Sequence, residues 1–416
     1  MNKKIGLFLV VILIASLAIY YYVTERNKNI TTREERTPTT ETDDLQQRDL
    51  TQQKELLYVN DVSGYKVIAS NFDGSSKSIL SQASGMGVDD FAKDSMRFIR
   101  VRAPTPEDLD KGSVGSLWIV DKESPPKKIL SLRLGESMAS PRISDDGSKI
   151  VYSLFHFGKV RGTDQLWVIN ADGSSNTLIA DETNTFITDP GPFRLIPLAW
   201  SKDKTKVYLI TTSDSEATPT GMYVADLLTN KIEKAKTPKL QLWDVTFSPD
   251  KSKIAYSNFE WRNVTPDSWP EPGPPFYLNI TNLKDGSTVK ISENNSAKYA
   301  HMIWSKDGGK IAYTLLNNIE PYGYSHNEGK KIFVVDINSK KILSLISSTG
   351  RDTVQPAAWL SDGRIVYTED RYNTENKSSI PDTRYLFSVK SDGTDKRKID
   401  SGSNLRVLGS LDLPKK

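Results

Sequence analysis

The segment from Trp304 to Tyr313 reads WSKDGGKIAY, and it decides the fold because similar segments recur along the chain. Each copy has a short apolar strand, a polar turn and a second strand rich in β-branched and aromatic residues. Asp at the start of such a turn accepts hydrogen bonds from nearby amides, and Gly tolerates positive φ. The pattern predicts a repeated β-hairpin. The other copies are FAKDSMRFIR at 91–100, ISDDGSKIVY at 143–152, WSKDKTKVY at 200–208, FSPDKSKIAY at 247–256 and WLSDGRIVY at 359–367.

Each repeat continues with a third and a fourth strand joined by another tight turn, as in LWVINADGSSNTLI at 166–179. Asp-Gly between two apolar runs is typical of a hairpin turn. The second strands of the repeats begin at intervals of 47 to 57 residues. Four short antiparallel strands, repeated about seven times, predict an all-β fold: a β-propeller over residues 55–413.

The two ends of the repeat region predict how the ring closes. Residues 56–80 supply three strands, Leu56–Asn60, Tyr65–Asn71 and Lys77–Leu80, without an innermost strand before them. The apolar run Leu405–Leu413 follows the last complete repeat. We expect it to return as the missing innermost strand, which removes two open sheet edges. This arrangement gives seven blades, and six is the alternative if the first three strands form no blade.

The repeat Ser-x-Asp-Gly-x-Lys-Ile-Ala/Val-Tyr resembles the propeller repeat of TolB-like proteins, which are related to WD-repeat propellers and to the propeller domain of prolyl oligopeptidases. The resemblance covers roughly residues 56–412. It implies a periplasmic binding or scaffold protein that uses the propeller as a docking surface. Residues 24–54 are too short and polar for the N-terminal domain of TolB, and the chain contains no Gly-x-Ser-x-Gly motif of a hydrolase domain.

The N-terminal region predicts a membrane anchor. Residues 5–23, IGLFLVVILIASLAIYYYV, carry no charge and follow Lys3 and Lys4. About 20 apolar residues span the hydrocarbon core as a helix, and a Tyr cluster suits the far interface. We expect a single-pass protein with residues 1–4 inside and the propeller extracytoplasmic, held by a flexible polar tether at 24–54. A cleaved signal peptide, with Ser16-Leu-Ala18 as a weak cleavage site, is the alternative.

Composition excludes several function classes. The chain has 416 residues and no Cys, which excludes disulfides, Cys–zinc sites and thiol catalysis. Its 55 basic and 52 acidic residues give a net charge of only +3, so no overall field favours nucleic acid. An extracytoplasmic chain without Cys suits a bacterial envelope. We expect a monomer without a cofactor.

The long connections predict a binding face. Propeller strands alternate in direction, so loops between second and third strands share one face, here called the insertion face, with the blade-to-blade loops. The opposite turn face carries only short turns. Long segments on the insertion face fall at 102–116, 155–164, 181–196, 212–221, 258–276, 316–330 and 370–384.

Aromatic and Arg residues dominate binding hot spots. The candidate binding residues are Phe155, His156, Arg161, Trp261, Arg262, Trp269, Tyr322, Tyr324, His326, Arg371 and Tyr372.

The remaining Trp residues have a structural interpretation. Six of the eight fall at or next to repeat strands, where packing between blades explains them: Trp118, Trp167, Trp200, Trp243, Trp304 and Trp359. Only Trp261 and Trp269 lie inside an insertion, and they could equally pack that loop on itself.

Chemically reactive groups are sparse. Asp89, Asp244, His301 and Gln355 open innermost strands and are candidates for the mouth of the central channel. The three His lack metal-ligand spacing, so we predict no metal centre and no catalytic residue. The favoured hypothesis is a non-enzymatic propeller that binds an envelope protein or polysaccharide. The alternative is a propeller enzyme, a glycan or lactone hydrolase or lyase, which needs a metal or a carboxylate pair at the channel mouth.

Overall fold

The computed structural model describes most of the repeat region. The described residues are 56–60, 66–82, 88–95, 97–121, 125–156, 164–181, 193–213, 219–237, 244–262, 271–316, 329–372, 381–403 and 405–410. They belong to a compact unit spanning residues 53–416, and a separate unit spans residues 1–52. The predicted tail, anchor and tether, 1–4, 5–23 and 24–54, lie outside the described residues. No helix within the described part is long and apolar enough to cross a membrane.

The described strands form seven antiparallel sheets of four strands each. Blade 1 contains β1 (Leu56–Asn60), β2 (Lys66–Ser70), β3 (Ser78–Gln82) and β28 (Arg406–Ser410). Blade 2 contains β4 (Asp90–Phe91), β5 (Phe98–Arg102), β6 (Ser113–Val120) and β7 (Lys127–Arg133). Blade 3 contains β8 (Glu136–Ile143), β9 (Lys149–His156), β10 (Gln165–Asn170) and β11 (Thr177–Ala180). Blade 4 contains β12 (Phe193–Trp200), β13 (Lys206–Ser213), β14 (Pro219–Asp226) and β15 (Lys231–Lys234).

The last three blades repeat the same order. Blade 5 contains β16 (Val245–Phe247), β17 (Lys253–Arg262), β18 (Glu271–Asn282) and β19 (Thr288–Asn294). Blade 6 contains β20 (Lys298–Trp304), β21 (Lys310–Leu316), β22 (Lys331–Asp336) and β23 (Ile342–Ser347). Blade 7 contains β24 (Thr353–Trp359), β25 (Arg364–Arg371), β26 (Thr383–Lys390) and β27 (Arg397–Gly402). The seven-bladed propeller is confirmed, and the six-bladed alternative is wrong.

The predicted closure is confirmed in its strand pairing. The C-terminal strand β28 is the innermost strand of blade 1 and pairs antiparallel with β1, with Leu56 opposite Ser410 and Val59 opposite Arg406. Leu405, just before β28, is fully buried. A side-chain contact also links blades 1 and 7, because the Tyr58 hydroxyl donates to Asp400 Oδ2 at 2.8 Å. The two ends of the propeller therefore stabilise each other.

The hydrophobic core is divided among the interfaces between blades. Seven clusters of buried residues join blade 1 to blade 2 and so on around the ring, and the last joins blade 7 to blade 1. In one of them Leu166 of blade 3 packs with Trp200 and Val207 of blade 4. The Trp200 indole also donates to the Arg142 carbonyl in blade 3 at 3.0 Å. This contact confirms the structural interpretation of this repeat Trp.

The repeat turns are held by their Ser and Asp side chains. In the turn before β21, Ser305 Oγ donates to Asp307 Oδ1 at 2.6 Å and accepts from the Lys310 amide at 2.8 Å. Turns beginning at Ser144, Ser201 and Ser248 repeat both contacts. The Ser-x-Asp spacing therefore fixes the first hairpin of four blades.

Two segments that we predicted as loops contain regular structure. Within 258–276, β17 continues to Arg262 and β18 starts at Glu271, because paired backbone amides extend the hairpin beyond the blade. Within 102–116 lies a short helix, α1 (Pro106–Asp110). Thr105 and Asp108 form a reciprocal capping box, and Pro106 occupies the first turn, which explains where α1 begins.

Candidate binding face and channel mouth

The β17–β18 hairpin is the longest element on the insertion face. Its strands have 10 and 12 residues, whereas the other described strands have eight or fewer. Trp261 lies opposite Pro272 and Arg262 opposite Glu271. Nearer the blade, Phe259 and Phe276 are buried with ring centroids 6.4 Å apart. The base of the predicted insertion therefore belongs to the core, and only its outer part can serve as a binding element.

Blade 7 presents stacked cations and aromatic rings at the same face. The Arg371 guanidinium lies 4.6 Å from the Tyr385 ring centroid, and its Nη2 atom is 2.9 Å from Glu369 Oε1. Arg351 lies 5.6 Å from the ring centroid of Tyr372. These contacts hold Arg371, an exposed candidate binding residue, and Tyr372 in defined positions.

In blade 3 the candidates Phe155 and His156 end strand β9 and are half-buried. His156 Nε2 lies 3.2 Å from Gln165 Oε1, which also accepts a hydrogen bond from the Trp167 indole at 3.1 Å. The pair is thus part of a small polar network at the base of this connection. The remaining candidate residues lie outside the described part of the chain: Arg161, Trp269, Tyr322, Tyr324 and His326.

Blade 2 contributes residues that our sequence analysis did not select. Leu109 in α1 is 55% exposed, and Leu134 in the β7–β8 turn is 84% exposed. In strand β6 of the same blade, the Trp118 ring is flanked by Arg102 and Lys128, at 5.7 and 5.9 Å from its centroid. The Thr-Pro-Glu-Asp sequence at 105–108 is the signal that would have found α1. No comparable signal marks Leu134, because its exposure depends on the tight β7–β8 connection.

Of the four candidates for the channel mouth, the structure brings Asp244 and His301 together. The carboxylate of Asp244 in blade 5 accepts a hydrogen bond from the His301 amide in blade 6. His301 sits in a β-bulge with φ of 54°, and its Nδ1 atom is 2.9 Å from Thr314 Oγ1. Desolvation by burial raises the pKa of Asp244 to about 6. Gln355 is placed in β24 opposite Thr368, half-buried.

Asp89 lies elsewhere, just before β4 in blade 2, among positive charges. It is exposed, yet desolvation raises its pKa, while the charges of Arg406, Arg142 and Arg100 oppose that shift. Its Oδ2 atom accepts a hydrogen bond from the Val101 amide. The four predicted channel residues therefore do not form one cluster. Within the described ranges, no group of three His, Asp or Glu side chains is placed to hold a metal ion.

Comparison with solved structures places the chain among known β-propellers. An oligogalacturonate lyase in complex with manganese shares 12% identity with a TM-score of 0.53, covering 76% of this chain and 82% of that one. An oligogalacturonate lyase from Vibrio parahaemolyticus shares 12% identity with a TM-score of 0.52, covering 83% and 85%. At such identities the likeness shows the fold alone.

A TolB structure is also among the similar solved structures. TolB from Acinetobacter baumannii shares 14% identity with a TM-score of 0.39, covering 85% of this chain and 81% of that one. No family model matches the sequence. No curated protein matches it either.

Proposed function

We propose that the protein is a non-enzymatic binding scaffold of the cell envelope that captures a protein or polysaccharide through its insertion face. The observation that carries this proposal is the difference between the two faces. Side-chain hydrogen bonds lock the short turns of the turn face. The insertion face instead carries the extended β17–β18 hairpin and helix α1. Loops on a rigid scaffold are where binding usually resides.

The residue types on this face support binding to a macromolecule. Leu109 and Leu134 place two exposed aliphatic side chains on blade 2, and blade 7 places Arg371 and Tyr372 at the same face. Protein interfaces combine apolar contacts with Arg and Tyr anchors. The proposal includes a monomeric, extracytoplasmic protein held by a membrane anchor, and the uncharged run at 5–23 supports the anchor.

A photo-crosslinking experiment in cells tests the binding face. Tyr372 at the insertion face and Leu228, an exposed residue in the β14–β15 turn of the turn face, are each replaced by p-benzoylphenylalanine. We expect Tyr372→p-benzoylphenylalanine to yield a discrete crosslinked species on irradiation and Leu228→p-benzoylphenylalanine to yield none. The turn-face position controls for protein abundance and for random collisions. Crosslinks from Leu228 alone, or from neither position, would contradict the proposed face.

The second candidate function is an enzyme with its site at the channel mouth, acting on a glycan or lactone. One observation favours it: the carboxyl group of Asp244 has a pKa raised to about 6 and lies beside His301. A carboxyl group that titrates near neutral pH suits general acid–base catalysis. In this case Asp244→Asn would abolish turnover of the substrate and leave crosslinking from Tyr372→p-benzoylphenylalanine unchanged.

A further inference from the structure

Arg100 is a deeply buried cation in the second strand of blade 2. Only 4% of its surface is exposed, and its Nε atom is buried without a hydrogen-bond partner. A guanidinium group carries five N–H donors. Burying such a group without acceptors is costly, because it loses its hydrogen bonds to water. Within the described part of the chain no group accepts a hydrogen bond from Arg100 Nε, so this side chain needs a further acceptor.

Two more arginines surround the same short segment of chain. The carboxylate of Asp89 experiences the charges of Arg406, Arg142 and Arg100. The Nε atom of Arg142 is also buried without a hydrogen-bond partner among the described residues, and its Nη1 atom is 4.0 Å from Asp90 Oδ1. Arg406 comes from the closing strand β28, and its Nη1 atom donates to the Val88 carbonyl at 3.1 Å. Three blades thus contribute one guanidinium each to the start of strand β4.

The nearby carboxylates leave this cluster short of acceptors. Asp89 Oδ2 accepts from the Val101 amide, and Asp90 Oδ2 accepts from the Ile143 amide at 2.9 Å. Both side chains are therefore partly committed to the backbone. Arg102 adds a positive charge near Arg100, and Asp145 adds a negative charge near Asp90. Four guanidinium groups against three carboxylates leave an excess of one positive charge when these Asp are ionised. A ligand with a single negative charge and two oxygen acceptors matches that excess.

We propose that Arg100, Arg142 and Arg406 form a binding site for a carboxylate group on a ligand that enters the central channel from the insertion face. Guanidinium and carboxylate groups pair through two parallel hydrogen bonds, which suits arginine better than lysine. A doubly charged phosphate would exceed the local positive charge. This proposal goes beyond capture of a partner by the insertion face, and it stands whether or not that capture occurs.

Calorimetric titration of the full chain at constant ionic strength tests the site with small ligands. Glucuronate and N-acetylglutamate amide represent sugar and peptide carboxylates, glucose is the neutral control, and inorganic phosphate tests the charge assignment. We expect saturable binding of at least one carboxylate and none of glucose. The tighter of the two carboxylates identifies the source of the group.

Variants then assign the binding to the arginines. Arg142→Gln and Arg406→Gln should each weaken carboxylate binding about tenfold or more, since a hydrogen bond to a charged group is lost. Arg133→Gln changes an exposed arginine on the outermost strand of blade 2, the blade that carries Arg100, and should leave binding unchanged. Arg100→Gln should also weaken binding, and circular dichroism establishes whether that variant folds. The proposal is overturned by absence of saturable carboxylate binding, by unchanged affinity in both Arg142→Gln and Arg406→Gln, or by tighter binding of phosphate.

Discussion

Individual carboxylates in this propeller fall into two groups with opposite energetics. In the repeat turns, hydrogen bonds from Ser248 and Ser252 lower the pKa of Asp250 to about 2, so its charge stabilises the fold. At Asp244, just before β16, desolvation dominates and raises the pKa. The turn carboxylates therefore favour folding when ionised, whereas ionisation of Asp244 opposes it.

We expect Asp244→Asn to remove a loss of stability that the wild type undergoes as pH rises. An ordinary Asp has a pKa of 3.8, and that of Asp244 is raised to about 6. The folded state therefore binds more protons, and this stability is present below pH 3.8 and lost as pH rises through 6. The loss amounts to about 3 kcal/mol at neutral pH. The free energy of unfolding of Asp244→Asn, measured by urea denaturation, should exceed that of the wild type increasingly from pH 4 to pH 7 by up to that amount, reduced by any weakened hydrogen bond.

Asp250→Asn supplies the control with the opposite sign. Because the folded-state pKa of Asp250 is lowered, its contribution is present above the unfolded-state pKa and is lost as pH falls toward 2. The difference between wild type and Asp250→Asn should therefore shrink on acidification. Parallel stability curves for the wild type and Asp244→Asn between pH 4 and pH 7 would refute the raised pKa.

The side-chain contacts of the repeat turns could be predicted from the sequence, but the charges around Asp89 could not. The Ser-x-Asp spacing is local, so residues such as Ser305 and Asp307 meet wherever the hairpin forms. Asp89 and Arg406 are brought together only by ring closure, across more than 300 positions of sequence. Our prediction selected Asp89 for its position and could not foresee its arginine neighbours.

At the scale of elements, the β17–β18 hairpin combines two roles in one continuous ladder. Its inner part, including Phe259 and Phe276, packs in the core between blades 5 and 6. Its outer part continues the pairing to Arg262 and Glu271. Sequence reasoning treated 258–276 as one Pro-rich loop, because five Pro argue against a strand. In the structure, however, backbone pairing between the two strands continues into this segment despite the Pro residues. That pairing depends on the partner strand and cannot be read from local sequence.

Two truncations of this hairpin should differ sharply in stability. Replacing 262–271 with a short Gly-Ser turn leaves Phe259 and Phe276 in place and should leave the melting temperature nearly unchanged. Replacing 258–276 removes both buried rings and should cost several kcal/mol, since removing a buried Phe side chain costs about 3–5 kcal/mol. Differential scanning calorimetry of the two variants measures this contrast. Equal melting temperatures would show that the base of the hairpin is not part of the core.

At the scale of the whole molecule, every blade depends on two neighbours because the core lies between blades. The interface between blades 7 and 1 joins the two ends of the repeat region: Leu56 and Tyr58 pack with Leu386, Ile399 and Leu405. Antiparallel pairing of β28 with β1 adds a hydrogen-bonded ladder. Closure could be predicted from sequence, because the first blade lacks an innermost strand and the last apolar run lacks a pairing partner. Pairing the two removes both open edges.

Removal of the closing strand should therefore destabilise the entire ring. Truncation after Gly402 deletes β28 and the fully buried Leu405, and it exposes the edge of β1. Burying each such aliphatic side chain contributes about 1.5–3 kcal/mol, and a typical domain is stable by only 5–15 kcal/mol. We expect this truncation to aggregate or melt far below the wild type, whereas truncation after Ser410 retains β28 and should melt close to it. Thermal unfolding of both truncations, followed by circular dichroism and light scattering, gives the comparison. A soluble protein ending at Gly402 with wild-type stability would show that β28 contributes little to the stability of the ring.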